Sequence, residues 1–238
     1  MRYTYRMRIH RFYIKELDNT SSFIEDADLI HQLTHVFRYK TGDIVSVFNE
    51  KLGEWEAEIT DIHKKRLSFK YIRQTKIENP AEAVSNKSVL YMSIIKNSNF
   101  DLVVEKATEL GITEVVPITT ERTIKTKLNY SRLNKIIQES TEQCGRIDLM
   151  KVGEILVLSD AIAQAKLYSE EVFFGHINDA NMNHPDPAKN NALFVGPEGG
   201  WSEEEIALFS KEKIVPISLS QNVLRAETAA IIGASRLV

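Results

Sequence analysis

Residues 193–205 read LFVGPEGGWSEEE, an apolar run, three glycines around Pro197 and Glu198, and then an acidic stretch. A Gly-rich turn between a strand and a helix lets a ligand approach backbone N–H groups, and phosphate is the usual occupant because a helix start carries partial positive charge. Here that charge is already met. Ser202 and Glu205 have the spacing of a capping box, and Glu203 and Glu204 add carboxylates at the same end. The turn also lacks the GxGxxG spacing of a dinucleotide fold and the GK[ST] ending of a P-loop. The chemistry that fits is a ligand of little negative charge, held through close approach to backbone groups.

Two more strand ends carry the same kind of signal. FFGH places Phe174, Gly175 and His176 after one apolar run, and SLSQNVLRAETAA (218–230) places a polar turn after another. In an open parallel sheet, ligands sit at the C-terminal ends of strands, so three such turns predict one pocket. Each turn taken singly has a plainer explanation. GPEGG also suits a tight turn into a capped helix, and the bare positions Ala226, Ala229, Ala230, Gly233 and Ala234 also suit close packing of a helix on a sheet. Arg225, Glu227 and Thr228 fit that explanation less well, because polar groups adjoin the bare stretch.

The elements that must position these turns fall into two parts, 1–73 and 74–238. In the first, TGDIVSVFN, EWEAEITDI and RLSFKYIRQ alternate apolar and polar residues and predict short strands, with one amphipathic helix around DADLIHQLTHVF. Close-spaced short strands predict a small β-barrel. The polar stretch TKIENPAEAVSNK marks the boundary, and beyond it strand and helix alternate. Ser98 is expected to cap a helix carrying Phe100, Val103, Val104, Ala107 and Leu110, and Gly111 to end it. ITEVVPI, EILVL, EVFFGHI, ALFV and VPISL read as strands, with helices in SRLNKIIQESTEQCGR, DAIAQAKLY and RAETAAIIGASRLV. The fold class is therefore α/β, with a mainly parallel sheet covered by helices.

Composition excludes several alternatives. The 238 residues carry a net charge of −3, and 43% are hydrophobic, as in a globular protein of one or two domains. No apolar run approaches the roughly 20 residues of a membrane-spanning helix, and no signal-peptide pattern follows the basic start, so a cytoplasmic location without membrane association is expected. Cys144 is the single cysteine and the six His have no metal-ligand spacing, so neither a disulfide nor a metal is expected. Charge is uneven, at +2 over 1–73 and −5 over 74–238. Arg2, Arg6, Arg8, Arg11 and Lys15 precede the first acid and interleave with Tyr3, Tyr5, Phe12 and Tyr13. That mixture suits RNA, with cations for phosphates and rings for bases, and equally suits a polar edge strand with solvated arginines.

GPEGGWSEEE followed by LSQNVLRAETAA, preceded by EKATELGITEVVPITTERT and TEQCGR, resembles the RsmE family of ribosomal RNA methyltransferases in the SPOUT superfamily. The likeness begins at RIHRFYI and spans nearly the whole chain; it departs at Ser220 and Ala226, where the family reads LG and LRTETA. It implies a PUA-like N-terminal β-barrel, a C-terminal SPOUT α/β domain with a deep trefoil knot, and a homodimer. It implies methylation of uridine N3 in small-subunit (16S) ribosomal RNA with S-adenosylmethionine, a cofactor without phosphate whose sulfonium an acidic helix start does not repel. By resemblance the cofactor site comprises Phe174, Gly175, His176, Val195, Gly196, Glu198, Gly199, Gly200, Leu219, Ser220, Asn222, Leu224, Ala226 and Thr228.

Arg225 and Glu198 are the expected catalytic residues. Arg225 stays protonated, which excludes it as a base but suits it to stabilising charge on uracil oxygens. Glu198 either balances the cofactor's positive charge or holds the loop, and the base that takes the N3 proton is Glu198, Glu227 or solvent. Arg8, Arg11, Lys15, Arg122 and Arg146 are the candidate RNA contacts; for Arg122 and Arg146 the alternative is a surface ion pair with Glu121 or Glu142. The competing readings are a SPOUT enzyme acting on another nucleotide or a ribose oxygen, a non-catalytic RNA-binding assembly factor, and a small-molecule enzyme with a nucleotide cofactor.

Overall fold

The structure, a computed structural model, describes residues 9–18, 22–76, 86–124, 127–177 and 184–238. Arg2, Arg6 and Arg8 lie outside these residues, as does most of the polar boundary stretch. The chain divides into two compact units, one taking in Met1–Val84 with Thr141–Asp148 and the other Ser85–Ser140 with Leu149–Val238. The segment Thr141–Asp148 thus belongs with the N-terminal part, which no local pattern in 74–238 suggested.

The first unit holds β1 (Arg11–Tyr13), β2 (Phe23–Ile24), β3 (Ile44–Asn49), β4 (Gly53–His63) and β5 (Arg66–Lys76), with α1 (Ala27–His31) between β2 and β3. The hairpin-connected β3, β4 and β5 follow the alternation in the sequence, burying Val45 and Val47, Ala57 and Ile59, and Leu67 and Phe69. The strand order is β1-β3-β4-β5-β2, and β1 and β2 do not pair among the described residues. Among the described residues the expected PUA-like barrel takes the form of a curled five-stranded sheet. Asp26 caps α1 by accepting from the amides of Asp28 and Leu29, and Leu29 and Ile30 enter the same core as the strands. A π-helical turn, Gln32–Val36, continues the helix and buries Leu33.

The second unit holds β6 (Ser88–Ser93), β7 (Glu114–Thr119), β8 (Lys151–Val152), β9 (Leu156–Val157), β10 (Glu171–Gly175), β11 (Asn191–Val195) and β12 (Val215–Ile217). Its helices are α2 (Asn97–Leu110), α3 (Tyr130–Cys144), α4 (Leu158–Tyr168), α5 (Glu203–Lys211) and α6 (Ala226–Leu237). Every strand pairing is parallel, in the order β12-β10-β11-β6-β7-β8 with β9 also on β7. The central strands β6 and β11 are buried throughout, because successive residues face opposite helix layers. Leu90, Met92, Leu193 and Val195 pack with α2, α3 and α6, while Val89, Tyr91, Ala192 and Phe194 pack with α4 and α5.

Several local expectations are met, and two are corrected. Gly111 ends α2 with φ at 95°, and Ser202 with Glu205 forms the full capping box of α5. Gly233 brings α6 against β11 so closely that a Cβ there would lie 2.3 Å from Leu193 Cδ2. Ser98, however, does not cap α2. The Lys96 carbonyl already accepts from the amides of Asn99 and Phe100, so the helix begins earlier and Ser98 lies inside its first turn. The strand read in EILVL shrinks to Leu156–Val157, because Leu158 turns into the core as the first residue of α4. Among the described residues no helix is long and apolar enough to cross a membrane.

Candidate active site

Strands β12, β10 and β11 are neighbours in the second unit, so the three turns that follow them converge. They enclose a cavity of about 780 Å³, within the range of roughly 300–1,000 Å³ typical of small-molecule sites. Gly175 and His176 line it from the first turn, Val195, Gly196, Glu198 and Gly200 from the second, and Leu219, Ser220, Asn222, Leu224, Arg225 and Ala226 from the third. Three expected residues are not on its wall. Phe174 points to the opposite layer, where its ring stacks on Phe209 at 4.4 Å between centroids. Gly199 faces Arg122, and Thr228 is exposed on α6.

The loop after β11 is held from several sides. Pro197 O accepts from the Gly200 amide at 2.9 Å, closing a tight turn, and Gly200 adopts φ of 68°, which a side chain would strain. Trp201 Nε1 donates to Gly175 O at 3.0 Å, and its ring occupies the space where a Cβ on Gly196 would come, 3.1 Å from Trp201 Cε2. Buried Glu205 does more than cap: one carboxylate oxygen accepts from the Ser202 amide and the other from the Glu121 amide, each at 2.9 Å. The third turn is fixed by Arg236, whose Nη1 and Nη2 donate to Ser218 O and Leu219 O at 2.7 and 3.1 Å.

The charged groups on the wall are few. Arg225 is exposed at the N-cap of α6 and lines the cavity. Glu198 Oε1 accepts from the Lys96 amide at 3.4 Å, and Glu227 supplies a second carboxylate. Apolar surface comes from Leu219, Leu224, Val195, Trp201 and Ile206. Trp201 and Ile206 were legible in principle, since they occupy the N′ and N4 positions of a hydrophobic staple around the Ser202 cap. Asn99, Ile177, Pro197, Val223 and Ala229 complete the wall, and Asn99 reaches it from α2 with no local motif to announce it. Among the described residues no group of three or more His, Cys, Asp or Glu is placed to hold a metal ion.

The residues expected at RNA behave differently from one another. Arg11 is turned inward, with its side chain 13% exposed. Its Nε donates to Glu54 Oε1 at 3.0 Å, Nη1 to Thr141 O and Glu142 O at 2.8 and 3.1 Å, and Nη2 to Arg146 O at 2.6 Å, while the guanidinium lies 4.2 Å from the Phe48 ring centroid. Those partners take four of its five N–H donors, so Arg11 is a structural clasp within the first unit. Ser46 Oγ also donates to Glu54, at 2.6 Å. Burial by itself raises the Glu54 pKa, but the bonds from Arg11 and Ser46 outweigh it and hold the carboxyl below its ordinary value. Arg146 pairs with Asp148 at 2.6 Å, and Lys15 is exposed. Arg122 Nη1 donates to Gly199 O at 2.8 Å.

Comparison with known proteins agrees with this architecture. A family described as RNA methyltransferase domain matches residues 82–238, and one described as RNA methyltransferase PUA domain matches 24–71. The chain is 32% identical over 235 residues to the ribosomal RNA small subunit methyltransferase E of Rickettsia conorii, covering 94% of this chain and 93% of that protein. The solved structure of a ribosomal RNA small subunit methyltransferase E from Neisseria gonorrhoeae bound to S-adenosyl methionine aligns with a TM-score of 0.82 at 26% identity, over 95% of each chain. A methyltransferase from Legionella pneumophila, solved in complex with the cofactor SAM, aligns at 0.80 with 29% identity over 97% of each chain.

Proposed function

This chain belongs to the ribosomal RNA small subunit methyltransferase E family, and from that premise we propose that it methylates N3 of a uridine in 16S ribosomal RNA with S-adenosylmethionine. The observation that carries the reading is the cavity at three strand ends, with Arg225 on its wall and no phosphate-binding motif.

The residues present fit the cofactor. Leu219, Leu224, Ile206 and Trp201 offer apolar surface for adenine, and Glu198 and Glu227 offer negative charge to a sulfonium. Gly196 lines the cavity and lets the Trp201 ring pack tightly beside it, since a Cβ there would come 3.1 Å from Trp201 Cε2. When bound, the cofactor supplies an electrophilic methyl group. The chain's own task is to bring the uracil nitrogen into line and make it nucleophilic, and positioning accounts for much of the rate. Arg225 donates to the uracil carbonyl oxygens, which stabilises developing negative charge and makes N3–H more acidic. The proton passes to Glu198, Glu227 or water.

The PUA unit, with Lys15 exposed, contributes RNA grip that weakens as salt rises. The proposal includes a homodimer acting on the small subunit or its RNA in the cytoplasm. It also includes the deep trefoil knot, supported by the passage of the chain from the edge strand β12 back to α6, which packs on α2, β6 and β11. The test is incubation with labelled S-adenosylmethionine and unmethylated small subunits, followed by digestion and mass spectrometry of the nucleosides. Label in N3-methyluridine is expected. Label in another nucleoside would identify a different SPOUT substrate, and cofactor binding without label would identify a non-catalytic assembly factor.

A further inference from the structure

Arg122 stands at the end of β7, on a segment that carries no residue of the cavity wall, yet it is built into the loop that does. Its Nη1 donates to Gly199 O at 2.8 Å, and its aliphatic stem covers the same glycine, with Cβ and Cδ at 3.2 and 3.3 Å from where a Gly199 Cβ would be. The preceding residue joins the same structure through its amide, which donates to Glu205 Oε1 at 2.9 Å. Two successive residues of this segment therefore grip the two ends of the stretch 199–205, one at Gly199 and one at the cap of α5.

The grip falls where the loop most needs it. The turn from Pro197 to Gly200 is closed by one backbone bond, and its third peptide joins Gly199 to Gly200. Neither residue has a side chain to resist rotation of that peptide, so a Gly–Gly unit is the part of the loop most free to turn over. The bond from Arg122 to the Gly199 carbonyl selects one orientation. Glu198, immediately before it, is thereby kept where its carboxylate accepts from the Lys96 amide on the cavity side.

We infer that Arg122 is a positioning residue for the cofactor loop, holding the Gly199–Gly200 peptide so that the turn carrying Gly196 and Glu198 is preformed before S-adenosylmethionine binds. The inference rests on the proposed cofactor and gives Arg122 a task other than contact with RNA. A preformed loop spares the ligand the cost of ordering it, so loss of Arg122 acts on cofactor affinity.

The test is equilibrium binding of S-adenosylmethionine, by calorimetry, and of 16S ribosomal RNA, by filter retention across a salt series, for the wild type, Arg122→Ala, Arg122→Gln and Gly199→Ala. Arg122→Ala is expected to weaken cofactor binding roughly tenfold and to raise its KM more than it lowers kcat. RNA affinity and its salt slope stay as in the wild type. Arg122→Gln keeps a donor and a stem but no charge, and recovers part of the cofactor affinity. Gly199→Ala, which presses a methyl group on the Arg122 stem, reproduces the cofactor loss. Unchanged cofactor affinity in Arg122→Ala, or RNA binding weakened equally in Ala and Gln with a salt slope lower by about one, would overturn the inference and mark Arg122 as a phosphate contact. A wild type that binds no S-adenosylmethionine would instead sink the proposed function itself.

Discussion

The indole Nε1 of Trp201 donates to the carbonyl oxygen of Gly175 at 3.0 Å, tying the loop after β11 to the end of β10. Two of the three turns around the cavity are thus one mechanical unit, with the indole ring filling the space beside Gly196. Trp201→Phe keeps most of the ring and removes the donor, leaving the Gly175 carbonyl without it. An intramolecular bond of this kind contributes about 1 kcal/mol, so cofactor affinity should fall about fivefold while the melting temperature moves by only a few degrees. Calorimetric titration beside a thermal melt checks both.

Arg225 offers the reaction a fixed positive charge without being able to accept a proton. Arg225→Ala should lower kcat by a factor on the order of 10² to 10³ and leave S-adenosylmethionine affinity within about twofold, as for the loss of one charge-stabilising donor. Single-turnover methylation of small subunits, with cofactor binding measured in parallel, tests this. A loss of cofactor affinity as large as the loss of rate would move Arg225 from the reacting base to the cofactor.

Gly233 and Leu193 set how closely α6 approaches β11. Gly233→Ala places a methyl group 2.3 Å from Leu193 Cδ2, closer than packed atoms come, so the helix or the side chain must shift. Overpacking of this kind costs about 1–3 kcal/mol, read as a lower urea midpoint at unchanged slope. Combining it with Leu193→Ala should give less than the sum of the two losses, because the smaller residue vacates the space that the new methyl needs.

Glu54 makes the first unit sensitive to acid. Its pKa is raised by burial but lowered further by the bonds from Arg11 and Ser46, so the folded value lies below the unfolded one. The stability this contributes is present above the ordinary glutamate value, about 4.3, and is lost as pH falls through the lower folded value. Glu54→Gln should cost about 3 kcal/mol near pH 7, the low end for breaking a buried pair, since Arg11 keeps three carbonyl partners. The gap between wild type and variant should close as pH drops below about 4. Denaturant unfolding at a series of pH values measures it; a gap independent of pH would mean that Glu54 is not charged in the fold.

What the sequence determined by itself was what depends on neighbours along the chain. Ser202 and Glu205 are three residues apart, Gly111 ends the helix it follows, and the strand alternation around Val45, Ala57 and Leu67 assigns inner and outer faces, so each could be read locally. The three turns could also be read as one pocket, because parallel sheets place their ligands at strand ends. The tertiary structure decided which distant groups meet. The bond from Trp201 to Gly175 spans 26 residues, that from Arg122 to Gly199 spans 77, and that from Arg11 to Thr141 spans 130. A guanidinium carries the same charge whether it faces RNA or a buried carbonyl, and a residue's type does not say which. That choice is made when the chain closes and unsatisfied backbone carbonyls, such as those of residues 141, 142 and 146, compete with solvent for the same donors.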